Sequence, residues 1–389
     1  MTPQRRQSWF VLIMLMVAHA VNDGFIWVIP PLLPAIRGYF NLSYTEMGAF
    51  YTAYNVAGSV FQAPAAYLVH LAPISLILTG GLRWSSIGMC LASMSSSYGL
   101  LVGVSAISGI GRSTYHPLAV TILSRLFGKE SFGRALALHL SASSAGMVIA
   151  PFLVALLLTR FNWRLPLQLW SVLGILAGLS LFFFLRRQTR LDLQPKSKTV
   201  QWPFFSPSMG IYLLAVVIWG ISQSGLMAFL PLFLVDHRQF STEAAAVTYG
   251  IMSFSGTVCR PFSGALMDWM GRRKPVIVGG FIVASISILG IATIDNLLTL
   301  YPAIVLLGIF GTGHTGLADT LLIEMVPSQR REETLGFYYT MRMGIASLAP
   351  VMVGWASEQI SLPNCFLSLA LVAGLSALLL SLVKERPME

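Results

Sequence analysis

The chain has 389 residues, 55% of them hydrophobic and only 10% charged. Soluble domains carry about 25% charged residues, so water is excluded as the main solvent, and a soluble multidomain protein with it. The net charge of +10 does not indicate nucleic acid, because the basic residues gather in short stretches between apolar runs, the positive-inside pattern of a chain embedded in a lipid bilayer.

Apolar runs of about 20 residues, each able to cross a hydrocarbon core about 30 Å thick, can be marked twelve times. They cover residues 9–33, 44–69, 74–96, 99–124, 132–158, 165–186, 208–235, 244–270, 275–294, 297–325, 333–357 and 362–383. The first run has a second reading. Arg5, Arg6 and Ala18-His19-Ala20 resemble a leader peptide with an A-x-A cleavage site, but the apolar character continues to Pro30 and favours a first membrane helix. The expected fold is an all-α integral membrane protein with twelve transmembrane helices. Residues 1–186 form an N-terminal six-helix bundle, 187–207 a basic linker and 208–389 a C-terminal six-helix bundle.

With the N-terminus taken as cytoplasmic, 17 of the 25 Lys and Arg fall in cytoplasmic segments and 4 on the opposite side; Arg83, Arg112, Arg260 and Arg342 lie within spans. Both termini are therefore expected in the cytoplasm. An internal repeat supports two halves. At an offset of 199, Gly109-Ile110 matches Gly308-Ile309, Leu118-Ala119 matches Leu317-Ala318, and Ala150-Pro151 matches Ala349-Pro350. Repeated bundles that hold a substrate between them near the midplane are a transporter architecture.

Ionisable groups inside a span cost roughly 2.5–3.5 kcal/mol at the helix centre, and a chain that keeps several generally uses them. On the first span, His19 and Asp23 are four residues apart and share a face, with Asn22 beside them. On the fourth, Arg112 and His116 are likewise four apart, and Pro117 weakens the backbone ladder next to them. If the two faces meet, Asp23 can pair with Arg112, and a proton on Asp23 or His116 would break or remake that pair. The same groups also fit a static network bracing the two helices. In the C-terminal half, Asp319 is open to coupling or bracing. Arg260 is open to an anionic substrate, which Arg binds bidentately, or to a pair with Asp319 or helix carbonyls. Arg342, on one face with Tyr338, leans to substrate contact or gating, and His314 between glycines leans to packing. Gln223 shares a face with Trp219 and Met227, a stripe that suits either the cavity or plain packing. His139 reads as an interhelical hydrogen bond, and Arg83 as a snorkelling or bracing residue.

The sharpest motif follows the eighth span: Gly264-x-Leu266-x-Asp268-x-x-Gly271-Arg272-Arg273. Gly264 would allow close helix approach, Gly271 a tight turn, and the basic run would hold the loop at the cytoplasmic face. This motif, with twelve spans split by a basic linker, resembles the major facilitator superfamily over the whole chain. The matching loop after the second span is degenerate, with Ala66, Leu68, His70 and Pro73 at the motif positions. The conformational latch that the resemblance implies is expected only in the C-terminal half. His19-x-x-Asn22-Asp23 and Tyr115-His116-Pro117 resemble the fosmidomycin-resistance branch, although Leu118 stands where that branch carries an acid.

The resemblance implies a secondary active transporter, and its branch favours export by proton antiport. Four midspan Arg against two midspan Asp favour a small or amphiphilic anionic substrate. The runner-up is proton-coupled uptake of an organic anion, and a reading of another class is a non-transporting membrane sensor. No HExxH, GxSxG or paired carboxylate set marks an enzyme. Cys90, Cys259 and Cys365 lack metal-ligand spacing, so no cofactor or metal is expected. The expected partners are a small-molecule substrate, protons and the bilayer, with the chain working as a monomer in a bacterial inner membrane.

Overall fold

The computed structural model describes residues 3–68, 71–186, 205–313, 315–327 and 330–385. All regular structure among them is helical: α1 (Pro3–Phe40), α2 (Tyr44–Val60), α3 (Gln62–Tyr67), α4 (Ile74–Ser93), α5 (Tyr98–Arg112), α6 (Tyr115–Leu126), α7 (Lys129–Leu158), α8 (Arg164–Leu185), α9 (Pro207–Asp236), α10 (Thr242–Met270), α11 (Lys274–Thr293), α12 (Leu297–Leu307), a π-helical turn (Gly308–Thr312), α13 (Thr315–Met325), α14 (Arg331–Ala346), α15 (Ala349–Ile360) and α16 (Leu362–Ser381). By length and composition, eight helical stretches qualify to cross a membrane, Leu297–Met325 among them when followed through its π turn.

The twelve apolar runs all lie on these helices, and four of them are interrupted, as α2–α3, α5–α6, α12–α13 and α14–α15. The breaks have local causes. Between α5 and α6 the Ser113 and Thr114 hydroxyls donate to the carbonyls of Ile110 and Gly111, competing with the helix ladder. Pro117 then has no N–H to return to the preceding turn. Between α12 and α13 the Gly313 N–H reaches back to the Gly308 carbonyl at 3.1 Å, five residues rather than four. Such π turns in membrane helices gather at functional positions.

The chain divides into two compact units, Met1–Asn41 with Ala53–Ser197, and Leu42–Thr52 with Lys198–Glu389. In the first unit, Val11, Leu12, Leu15 and Ala18 of α1 pack with Ile74, Leu78 and Leu82 of α4 and with Leu118, Ala119, Ile122 and Leu123 of α6. These are helix-face spacings of three and four. Lipid gives no hydrophobic drive between helices, so close packing and polar links hold them together. The Trp84 indole N–H donates to the Ile107 carbonyl at 2.9 Å, and Ser108 Oγ to the Ser85 carbonyl at 2.6 Å, tying α4 to α5.

The second unit uses the same devices. Ser222 and Ser376 join α9 and α16 through carbonyls at 2.8 and 2.6 Å, and Ser285 joins α11 to α16 at 2.7 Å. Trp219 stacks on Phe281 with centroids 3.9 Å apart, and Met227 accepts from the Tyr249 hydroxyl. Both therefore belong to the packed core of this unit. The start of α2 packs here as well: the Tyr44 hydroxyl donates to Asp236 at 2.7 Å and the Thr45 N–H to Glu358 at 2.8 Å.

Candidate functional site

Small residues flank the polar trio on α1, and neighbouring helices close in on them. Ala20 lies against Gly146 of α7, where a side chain would collide with the Ala20 carbonyl. The Trp170 ring of α8 fills the place of a side chain on Gly24, and its N–H donates to the Val21 carbonyl at 2.9 Å. His19 and Asn22 are almost wholly buried and Asp23 is 9% exposed. Asp23 is saturated. Its Oδ1 meets Nε2 of His116 at 3.1 Å and accepts from the Asn22 amide at 3.1 Å. Its Oδ2 meets Nε2 of His19 at 3.1 Å and accepts from the Ser143 hydroxyl at 2.7 Å.

The other nitrogen of His19, Nδ1, lies 2.8 Å from the His139 carbonyl oxygen. A carbonyl only accepts, so Nδ1 carries hydrogen. The Nε2 contact to Asp23 is then attractive only if a second proton is present, on the imidazole or on the carboxylate. The His139 ring stacks on His19 at 4.3 Å, and the Tyr115 ring lies 5.4 Å from His19 and 6.0 Å from His139, its hydroxyl donating to the Leu15 carbonyl. His19, Asp23 and His116 also bring three atoms of metal-ligand type within 4.8 Å of one another. Each carboxylate oxygen already has two protein partners, so no metal is assigned to the cluster, while Asn22 Oδ1 and His139 Nδ1 beside it are buried without partners.

The pair that spacing allowed between Asp23 and Arg112 is not formed. The two imidazoles take the carboxylate, and Arg112 turns to α2, with its guanidinium carbon 5.4 Å from the Tyr54 ring centroid. Ser143 was not singled out from the sequence, being one of four serines on a 30-residue helix. Nor was Tyr54, whose one signal is its position four residues before Gly58.

In the second unit, Asp319 accepts from the Tyr339 hydroxyl at 2.9 Å through Oδ2, while its buried Oδ1 has no partner. Arg342 lies over the Tyr338 and Tyr339 rings at 5.3 and 5.7 Å. Its Nε and the Gln223 amide nitrogen are buried without partners, and the Tyr338 hydroxyl faces Tyr212 and Asp319. Arg260 donates to the Thr312 carbonyl of the π turn at 3.5 Å, the helix-carbonyl alternative of the sequence reading. His314 and His70 lie outside the described residues, as do residues 187–204 of the linker.

The loop motif is built differently from its sequence reading. Gly271 caps α10 in the left-handed region at φ 62°, a conformation that favours glycine. Gly264 does not serve close approach: a side chain there would meet nothing within 4 Å. Asp268 and Arg272 are exposed. Arg273 anchors the loop, with an ion pair to Glu324 and a bond to the Thr320 carbonyl at 3.2 Å. The Glu385 carboxylate receives the N–H groups of Arg273 and Lys274 at 2.6 and 2.9 Å, at the positive end of α11.

Residues 15–350 and 270–389 match the family model described as Major Facilitator Superfamily. The Fosmidomycin resistance protein of Escherichia coli (strain K12) is 21% identical over 93% of this chain and 89% of that protein. The "Probable nitrate transporter NarT" of Staphylococcus carnosus (strain TM300) is 23% identical over 85% of this chain and 82% of that one. Among solved structures, a bacterial homologue of the human lysosomal transporter Spinster, inward-facing and occupied, superposes with a TM-score of 0.80 at 16% identity, over 98% of this chain and 97% of that chain.

Proposed function

The chain belongs to the Major Facilitator Superfamily, whose members are transporters rather than enzymes, and we propose that it couples export of a small or amphiphilic anionic compound to proton entry by alternating access. The observation that carries this reading is the Asp23 carboxylate held between His19 and His116, each at 3.1 Å. Because His19 Nδ1 is committed to a carbonyl, the contact depends on a resident proton, and losing that proton sets like lone pairs against each other. Such a contact has two arrangements that a proton selects, which is what coupling needs. Asp319 is a second, subordinate coupling candidate. Gln223, Arg260, Tyr338 and Arg342 are candidates for holding substrate, and His314 stays one by sequence alone.

An anionic cargo follows from the surplus of midspan arginine over aspartate. It also suits one relative, whose printed name specifies nitrate. Export follows from another relative named for resistance to fosmidomycin, and the nitrate name supports the runner-up, uptake by proton symport of an organic anion. The basic cytoplasmic segments favour both termini in the cytoplasm of a bacterial inner membrane, and one chain carries all the groups the cycle needs.

The test is flux in proteoliposomes holding the purified chain. An imposed pH gradient is expected to drive an anionic solute across, with a matching change of internal pH. Absence of gradient-driven flux, or an Asp23→Asn variant that moves solute like wild type, overturns proton coupling at this site. Binding with no flux at all points to the sensor reading.

A further inference from the structure

We infer that Arg112, with Tyr54 and Gly58, forms the seat for the charged end of a singly charged oxyanion, a carboxylate, nitrate or phosphonate monoanion. This inference rests on the transporter reading above and assigns its cargo a place in the first unit. Arg112 ends α5 and is 6% exposed. Among the described residues it makes no hydrogen bond and no ion pair, and its buried Nε has no acceptor. Its one described partner is the face of Tyr54, whose own buried hydroxyl has the Ser85 side chain as its polar neighbour.

A buried guanidinium whose Nε has no acceptor is an unbalanced charge in low dielectric, which proteins answer by pairing it. The acid that spacing offered is engaged elsewhere, since Asp23 is filled by His19, His116, Asn22 and Ser143. The facing helix supplies no competitor. Gly58 stands opposite the guanidinium, and a side chain there would come within 2.6 Å of Nη2 and 2.7 Å of Nε. Arg83 gives the contrast. It spends its Nε on the Thr79 carbonyl of its own helix at 3.1 Å and stacks on Phe182, so it asks for no ligand. Arg112 has a planar fork matched to two oxygens of one anion, beside a phenol hydroxyl able to donate a third hydrogen bond. One fixed positive charge matches one negative charge, which sets the class as monoanionic.

The experiment titrates the full chain in detergent with sodium acetate, nitrate and methylphosphonate at constant ionic strength, and reads calorimetric binding and the thermal transition. Wild type is expected to bind at least one of them saturably. Arg112→Gln weakens that binding by about tenfold to a hundredfold, the scale of a lost charge-assisted bond. Arg112→Lys restores part of it, Tyr54→Phe falls between, and Arg83→Gln binds as wild type. Should Arg112→Gln fail to fold, phenylglyoxal labelling of wild type replaces it, with the bound anion expected to protect Arg112. The seat is overturned if none of the three binds saturably, if Arg112→Gln binds like wild type, or if a bound anion leaves Arg112 labelling unchanged. Arg112-dependent binding without proton-coupled flux contradicts the transport reading and leaves the seat standing. Coupled flux of an anion whose binding ignores Arg112 does the reverse.

Discussion

The acid of the first unit and the acid of the second are opposites. Asp23 has four partners on its two oxygens, whereas Asp319 has one described hydrogen bond and a buried oxygen with none. The saturated carboxylate between imidazoles is the proposed seat of the coupling proton. A carboxylate with an orphan oxygen, beside an arginine nitrogen equally unpartnered, is proposed to receive something that arrives. On the proposed reading only the first unit holds the chief proton site, whereas buried polar groups that await a ligand occur in both, at Arg112 and around Asp319.

The largest expected effect sharpens that contrast. Asp23→Asn should lower gradient-driven flux by about a hundredfold, the scale of losing a positioned proton-transfer group, at any substrate concentration. Asp319→Asn should act on apparent affinity instead, by about tenfold, roughly one hydrogen bond to a charged group. Initial rates across a substrate titration decide, and the comparison breaks if the two variants lose maximum rate alike.

A smaller effect contrasts two glycines. Gly146→Ala drives a methyl into the Ala20 carbonyl behind the proton site and should cost about 1–3 kcal/mol, as overpacking does. Gly264→Ala meets open space and should leave stability unchanged or raise it by up to about 1 kcal/mol through helix propensity. Thermal unfolding in detergent reads both, and equal losses would show that Gly264 is packed after all.

The smallest effect lies outside the spans, at Glu358. The backbone N–H of Thr45 holds its carboxyl below the ordinary glutamate value of 4.5. The folded form therefore favours the ionised carboxylate. The stability this contact adds is full above about pH 4.5 and is lost as pH falls through the lower folded value. Glu358→Gln should flatten the acid side of the thermal-stability profile slightly, and an unchanged profile would remove the contact from the account.

Much of the fold was legible because a bilayer imposes a strong rule: twelve apolar runs and their basic borders mark the spans. The interruptions were less so. Pro117 announced the break after Arg112, but the π turn at Gly308–Thr312 depends on one slipped hydrogen bond that a glycine-rich run permits without requiring. The packing of Leu42–Thr52 with the second unit carries no periodic signal at all. At the site, burial cost and four-residue spacing gathered His19, Asn22, Asp23 and His116. They misdirected Arg112, because spacing along α5 says nothing of Tyr54 and Gly58 on another helix. His139 read as an interhelical hydrogen bond, but its ring Nδ1 is buried without a partner and only its backbone carbonyl meets His19.

On the proposed mechanism the proton seated at Asp23 couples the gradient to the cargo without being needed to move the cargo itself. It is tested by comparing two fluxes of one anionic solute in Asp23→Asn proteoliposomes: exchange at equal solute and pH on both sides, and accumulation driven by a pH gradient. Exchange is expected to survive while gradient-driven accumulation disappears. Accumulation at the wild-type level in that variant would contradict it.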